Sequence, residues 1–124
     1  MRLQKIDSIM FRVRDLEKAA TFYEKTLGLK KAWTDLENGM IGFVFPQSDS
    51  EIVIHNHPEF PNPDFSFLVE NVEKFCKEFR RNGGNVMKEP FDVRTGKFAV
   101  IQDLDKNPIP IIDLTKFGGR PKYD

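Results

Sequence analysis

The chain has one cysteine, Cys76, among 124 residues. No intrachain disulfide can form, which suits a reducing cytoplasm, where we expect the protein to reside. No apolar run approaches the ~20 residues that span a bilayer, and Met1-Arg2-Leu3-Gln4-Lys5 leads into no apolar stretch of the kind a secretory signal needs. Charge of one sign is also missing. Lysine and arginine total 19, as do aspartate and glutamate, so there is no basic field for a phosphate backbone and nucleic acid is not an expected partner. There are only two histidines and one tryptophan. Phenylalanine is abundant, with 12 copies, and predicts a ring-rich core, some of it available to line an apolar ligand site.

The pattern along the chain is that of alternating strands and helices. Ile9, Phe11 and Val13 share one face of a first strand. Asp15 is placed as a helix N-cap, and Leu16, Ala19, Ala20, Tyr23 and Leu27 form one helical stripe ending at Gly28. Strands are predicted over 29–35, 40–45 and 51–55, with Asn38-Gly39 as a tight turn. Pro58 to Pro63 is a proline-rich connector. The sequence then starts again: Phe65, Phe67 and Val69 on a strand face, Asn71 as N-cap, Val72, Phe75, Cys76 and Phe79 as a stripe, then Gly83-Gly84. Three more strands are predicted over 85–88, 97–102 and 109–114. The tail from Phe117 is expected to fray.

One offset relates the two halves. Phe11 falls on Phe67, Val13 on Val69, Glu17 on Glu73, Gly28 on Gly84 and Val44 on Val100, each 56 residues later; Val53 falls near Ile109. This reads as a duplicated βαβββ unit, with repeats over about 5–57 and 64–115 of a single domain. The predicted class is α+β: two βαβββ repeats forming a cup-shaped mixed sheet with the helices outside, and a small organic ligand inside.

A doubled βαβββ of this length resembles the vicinal oxygen chelate superfamily, the glyoxalase/bleomycin resistance protein/dioxygenase family. The residues that carry the resemblance are Phe11-Arg12-Val13-Arg14-Asp15-Leu16, Phe22-Tyr23, Leu27-Gly28-Leu29, His55-Asn56-His57, Asn82-Gly83-Gly84-Asn85-Val86 and Asp103-Leu104-Asp105-Lys106-Asn107. The resemblance implies pairing into homodimers. In metal-using members it also implies four inward-facing ligands drawn from His, Gln and Glu around a divalent ion. Matching the motifs puts those positions at Ser8, Ile52, Asp64 and Pro110, or at Ile54 in place of Ile52 if the internal offset is followed. Isoleucine and proline carry no donor, so the expectation is no metal cofactor and binding of a small organic molecule by sequestration.

Other residues offer alternative chemistry. His55, His57 and Glu59 are the one histidine cluster, an alternative site for a divalent metal set against a plain polar strand end. Asp64 is a candidate general base if burial raises its pKa, set against a simple hydrogen-bonded pairing with Ser8. Met10 and Arg12 continue the Ser8 face, and Ser66 continues the Asp64 face. Trp33, Arg94 and Phe98 are candidate wall residues; an arginine with aromatic rings suits a planar or anionic ligand. Asp103, Asp105 and Asn107 imitate the start of a calcium loop but lack its later glycine and glutamate, which leaves a turn. Cys76 lies on a core stripe, and Gly118-Gly119-Arg120 is too short for a phosphate loop. The rival function is a lyase, isomerase or dioxygenase with a displaced metal or an Asp64 base.

Overall fold

The computed structural model describes residues 1–118; the tail beyond Gly118, including most of Gly118-Gly119-Arg120, lies outside them. The described chain runs β1 (Lys5–Arg12), α1 (Leu16–Thr21), β2 (Lys30–Asp35), β3 (Met40–Val44), β4 (Glu51–His55), β5 (Asp64–Leu68), α2 (Val72–Arg81), β6 (Asn85–Asp92), β7 (Lys97–Gln102) and β8 (Pro108–Ile112). It divides into two compact units. The first is Ser8–Phe65; the second is Met1–Asp7 together with the chain from Ser66 onward.

Each unit has the same plan. In the first, the strand order is β2-β3-β4-β1, with β1 and β4 parallel and the other pairs antiparallel. In the second it is β5-β8-β7-β6, with β5 and β8 parallel. Both are βαβββ units, and the fold is α+β with a mixed sheet, as the sequence pattern predicts.

The helices start where short-range chemistry tells them to. The Asp15 carboxylate accepts the Lys18 backbone N–H at 3.0 Å, and the Asn71 side chain accepts that of Lys74 at 2.9 Å. Each satisfies a donor that the first helical turn leaves open. The second helix also has a long-range anchor: buried Asp113 accepts the Val72 N–H at 2.8 Å.

The first helix departs from the predicted stripe. After Thr21 it widens into a π-helical turn, Phe22–Thr26, closed by the Leu27 N–H on the Phe22 carbonyl at 3.1 Å. One extra residue per turn rotates the chain beyond it, so Leu27 is exposed and Leu29 is buried in its place. Gly28 takes a left-handed φ of 75°, which glycine adopts without a Cβ penalty.

In each unit the helix covers one sheet face. Ala20, Leu29, Ile41, Phe43 and Ile54 form the buried core under α1. Val72, Phe75 and Cys76 of α2 pack with Ala99, Ile101 and Ile111. Cys76 is a core residue, as its place on the stripe predicts, and burial pushes its thiol pKa up.

The repeat is real, but its offset is not constant. Phe11 pairs with Ile54, and its counterpart Phe67 pairs with Ile111, so β4 and β8 are related by 57 residues rather than 56. Gly42 pairs with Val53 while Val100 pairs with Pro110, a relation of 58 residues for β3 and β7. The ladder between β6 and β7 is irregular at two places, whereas that between β2 and β3 is irregular at one. Each irregularity leaves residues unpaired and advances one repeat against the other.

Candidate functional site

The slipped offset corrects the expected metal-facing positions on β4. Ile52 and Ile54 both belong to the α1 side, Ile54 fully buried in that core and Ile52 packed against it. Neither shares a face with Ser8. The opposite face of β4 carries Glu51, Val53 and His55, and the parallel register aligns Met10 with Val53 and Arg12 with His55. Successive strand residues alternate faces, so Ser8, Met10 and Arg12 line this face as expected, joined by three residues from β4. Val53, and not Ile54, is the counterpart of Pro110. Matching Val53 with Ile109 is wrong for the same reason, since Ile109 packs on the α2 side.

Trp33 sits on this face too. Its indole N–H donates to Glu51 at 3.0 Å, and its ring lies so close against Gly42 that a Cβ there would collide with it. Glu51 is buried at 4 % exposure. Nothing in the sequence singles it out, because it opens a strand after a polar loop, where an exposed carboxylate is the ordinary outcome.

At the far end of β4, His55 is wholly buried. The His57 backbone N–H donates to His55 Nδ1 at 3.0 Å. An acceptor nitrogen carries no proton, so neutral His55 holds its proton on Nε2. His55 Nε2 has no hydrogen-bond partner among the described residues. Burial, first, and then the nearby charges of His57 and Arg12 hold its pKa below the usual histidine value. His57 is in the opposite condition. Its Nε2 meets the Asn38 carbonyl and its Nδ1 meets Glu59 Oε1 at 2.9 Å; both partners are acceptors, and the Asn38 bond chiefly pushes the pKa up.

Pro58–Pro63 connects these groups. The Phe60 ring meets His55 edge-on with centroids 5.0 Å apart and stacks on His57 at 4.8 Å. Arg12 holds the segment with two bonds: Nη2 to the Phe60 carbonyl at 2.7 Å, and backbone N–H to Asn62 Oδ1 at 3.1 Å. The alternative metal set of His55, His57 and Glu59 is therefore not arranged to share an ion. Both His57 nitrogens and His55 Nδ1 are already engaged, and no group of three or more His, Cys, Asp or Glu side chains among the described residues is placed to hold one.

Asp64 is half-buried, and desolvation pushes its pKa up, opposed by the Phe65 N–H that its Oδ1 accepts at 2.9 Å. Ser8 is buried. In the second unit, Ser66, Phe98 and Pro110 lie on the sheet face away from α2. The register pairs Phe98 with Ile112, Val100 with Pro110 and Phe67 with Ile111, and the last faces the helix core. The Phe98 ring meets Phe91 at 5.5 Å, and Arg94 lies over Phe117 at 5.6 Å. Asp103 closes its own turn, accepting the N–H groups of Asp105 and Asn107 at 2.9 Å.

The chain is an α+β protein made of two βαβββ units, each with its helix packed on one face of its strands. The profile of the Glyoxalase/Bleomycin resistance protein/Dioxygenase superfamily matches residues 5–111, and the chain belongs to that superfamily. A lactoylglutathione lyase of Escherichia coli O157:H7 is 30 % identical over 120 residues, covering 84 % of this chain and 88 % of the lyase. The lactoylglutathione lyase of Salmonella typhimurium LT2 is 27 % identical, covering 88 % of this chain and 92 % of its own length. Among solved structures, methylmalonyl-CoA epimerase from Mycobacterium tuberculosis superposes with a TM-score of 0.68 at 16 % identity, over 97 % of this chain and 91 % of the epimerase.

The superfamily's metal-using members imply a divalent ion, and the residues at the matching positions do not fit one. Val53 and Pro110 have no side-chain donor, Ser8 offers a weak neutral hydroxyl, and Asp64 is a single carboxylate already accepting a backbone N–H.

Proposed function

We propose that this protein binds a small organic acid on the sheet face of its first unit that points away from α1, without the superfamily's metal centre. The observation that supports this reading is the composition of that face. It offers a guanidinium, Arg12, beside apolar Met10 and Val53 and the Trp33 indole, whose N–H already engages the Glu51 carboxylate. A guanidinium binds carboxylate through directed, charge-assisted hydrogen bonds, and the apolar neighbours favour an organic body over an inorganic anion. Ser8 and Asp64 are proposed as contacts in the same unit, and Ser66, Phe98 and Pro110 as ligand contacts on the second unit's own sheet face.

A second reading is catalytic. Burial raises the Asp64 pKa, which brings a carboxylate nearer the range of a working general base. On that reading the protein is a lyase or isomerase using Asp64 for proton abstraction. A homodimer in the cytoplasm completes the proposal. No described helix is long and apolar enough to cross a membrane.

Thermal-shift measurements against a panel of aromatic and aliphatic carboxylic acids, run with a chelator, test the binding reading. Stabilisation that persists in chelator and is lost in Arg12→Gln supports it. Stabilisation only after adding a divalent metal contradicts it.

A further inference from the structure

His55 holds the one buried side-chain nitrogen or oxygen among the described residues that has no hydrogen-bond partner. A buried donor left unpaired costs free energy that a fold ordinarily avoids, so such a group calls for an explanation. The tautomer is fixed by local geometry. The His57 backbone N–H occupies Nδ1 at 3.0 Å, which leaves Nε2 as a donor only.

The neighbours favour an oxygen acceptor as its missing partner. Arg12 is the register partner of His55 on β1, so a guanidinium and a neutral N–H donor rise from adjacent strands on one face. What lies against the imidazole is Phe60, whose carbonyl accepts from Arg12 Nη2 at 2.7 Å. Arg12 thus spends a charged donor on a neutral carbonyl in an exposed bond. A carboxylate is the stronger acceptor for that donor, and exchanging one for the other would release the Phe60 segment.

We propose that His55 Nε2 and Arg12 Nη2 together form a carboxylate-binding pair, uncovered when the Phe60 segment lets go of Arg12. One ligand oxygen takes the Arg12 donor and the other takes the His55 N–H. The pair selects for two acceptor oxygens on one carbon: a single hydroxyl can satisfy only one of the two donors, and an ammonium would meet both with no lone pair to offer. The inference rests on the organic-acid reading above and names the groups that would read the acid.

The test uses full-length protein with ¹⁵N-labelled histidine and benzoate as the probe. The wild type alone should show His55 as the Nε2–H tautomer, and benzoate should shift its Nε2–H proton downfield. Gln places a donor near the Nε2 position, while Asn places its polar atoms near Nδ1. Benzoate affinity should therefore fall about tenfold in His55→Asn and recover in His55→Gln. Benzyl alcohol and benzylamine should leave the His55 resonance unmoved. Benzoate binding with no shift of the His55 signal overturns the pair and leaves the organic-acid reading standing. Failure of tens-of-millimolar benzoate to raise the melting temperature or to shift the His55 signal overturns both. A His55 found protonated at Nδ1 in the unliganded protein also overturns the inference, whatever the variants do.

Discussion

The carboxylate of Asp113 accepts the backbone N–H of Val72, 41 residues earlier, at 2.8 Å. Val72 is the first residue of α2, so a side chain beyond the last strand holds the start of the helix. The same carboxylate accepts the Lys97 N–H at 2.9 Å and the Thr115 hydroxyl at 2.8 Å. It ties helix, strand and chain end of the second unit together from a position with no exposure to solvent.

Replacing Asp113 by Ala should therefore cost on the order of 3 kcal/mol, because several buried donors lose their acceptor at once. Urea unfolding monitored by circular dichroism measures it. A loss below about 0.5 kcal/mol, the level of an ordinary surface change, would show that the carboxylate is not holding α2.

Gly42→Ala probes the first unit in the same way. The new Cβ would collide with Trp33 Nε1, so the indole must move away and give up its bond to Glu51. The expected result is lower stability together with a change in tryptophan emission, which reports on this one ring. Emission identical to the wild type would place the ring elsewhere.

The two histidines should titrate on opposite sides of the ordinary value of 6.5. His57 is raised, so its contribution to stability is complete below the unfolded value and is lost as pH rises through the folded one. His55 is lowered, so its contribution is complete above the unfolded value and is lost as pH falls through the folded one. Unfolding free energy measured against pH should lose its alkaline fall in His57→Gln and its acid fall in His55→Gln. Two histidines titrating together near 6.5 in NMR spectra would contradict the assigned hydrogen bonds.

Much of the fold is legible in the sequence because its signals are local. Asp15 and Asn71 cap the helices three residues ahead, and strand alternation assigns Ser8, Met10 and Arg12 to one face. The register of later strands is not local. Irregularities in the β2–β3 and β6–β7 ladders shift the repeat, and a fixed offset consequently puts Ile54 where Val53 stands. The π-helical turn that exposes Leu27 carries no mark that separates it from an ordinary helix end. His55 stands out in the sequence as a candidate ligand, but its burial depends on Phe60 in an irregular connector. That contact arises from tertiary packing, which periodicity does not describe.

The central claim is that the first unit's sheet face away from α1 serves an organic acid and not a chelated ion, and elemental analysis of the purified, dialysed protein tests it most directly. The account predicts well under one equivalent of nickel, zinc, iron or manganese per chain, and no change on Asp64→Ala. One equivalent that survives dialysis and disappears in Asp64→Ala would contradict it.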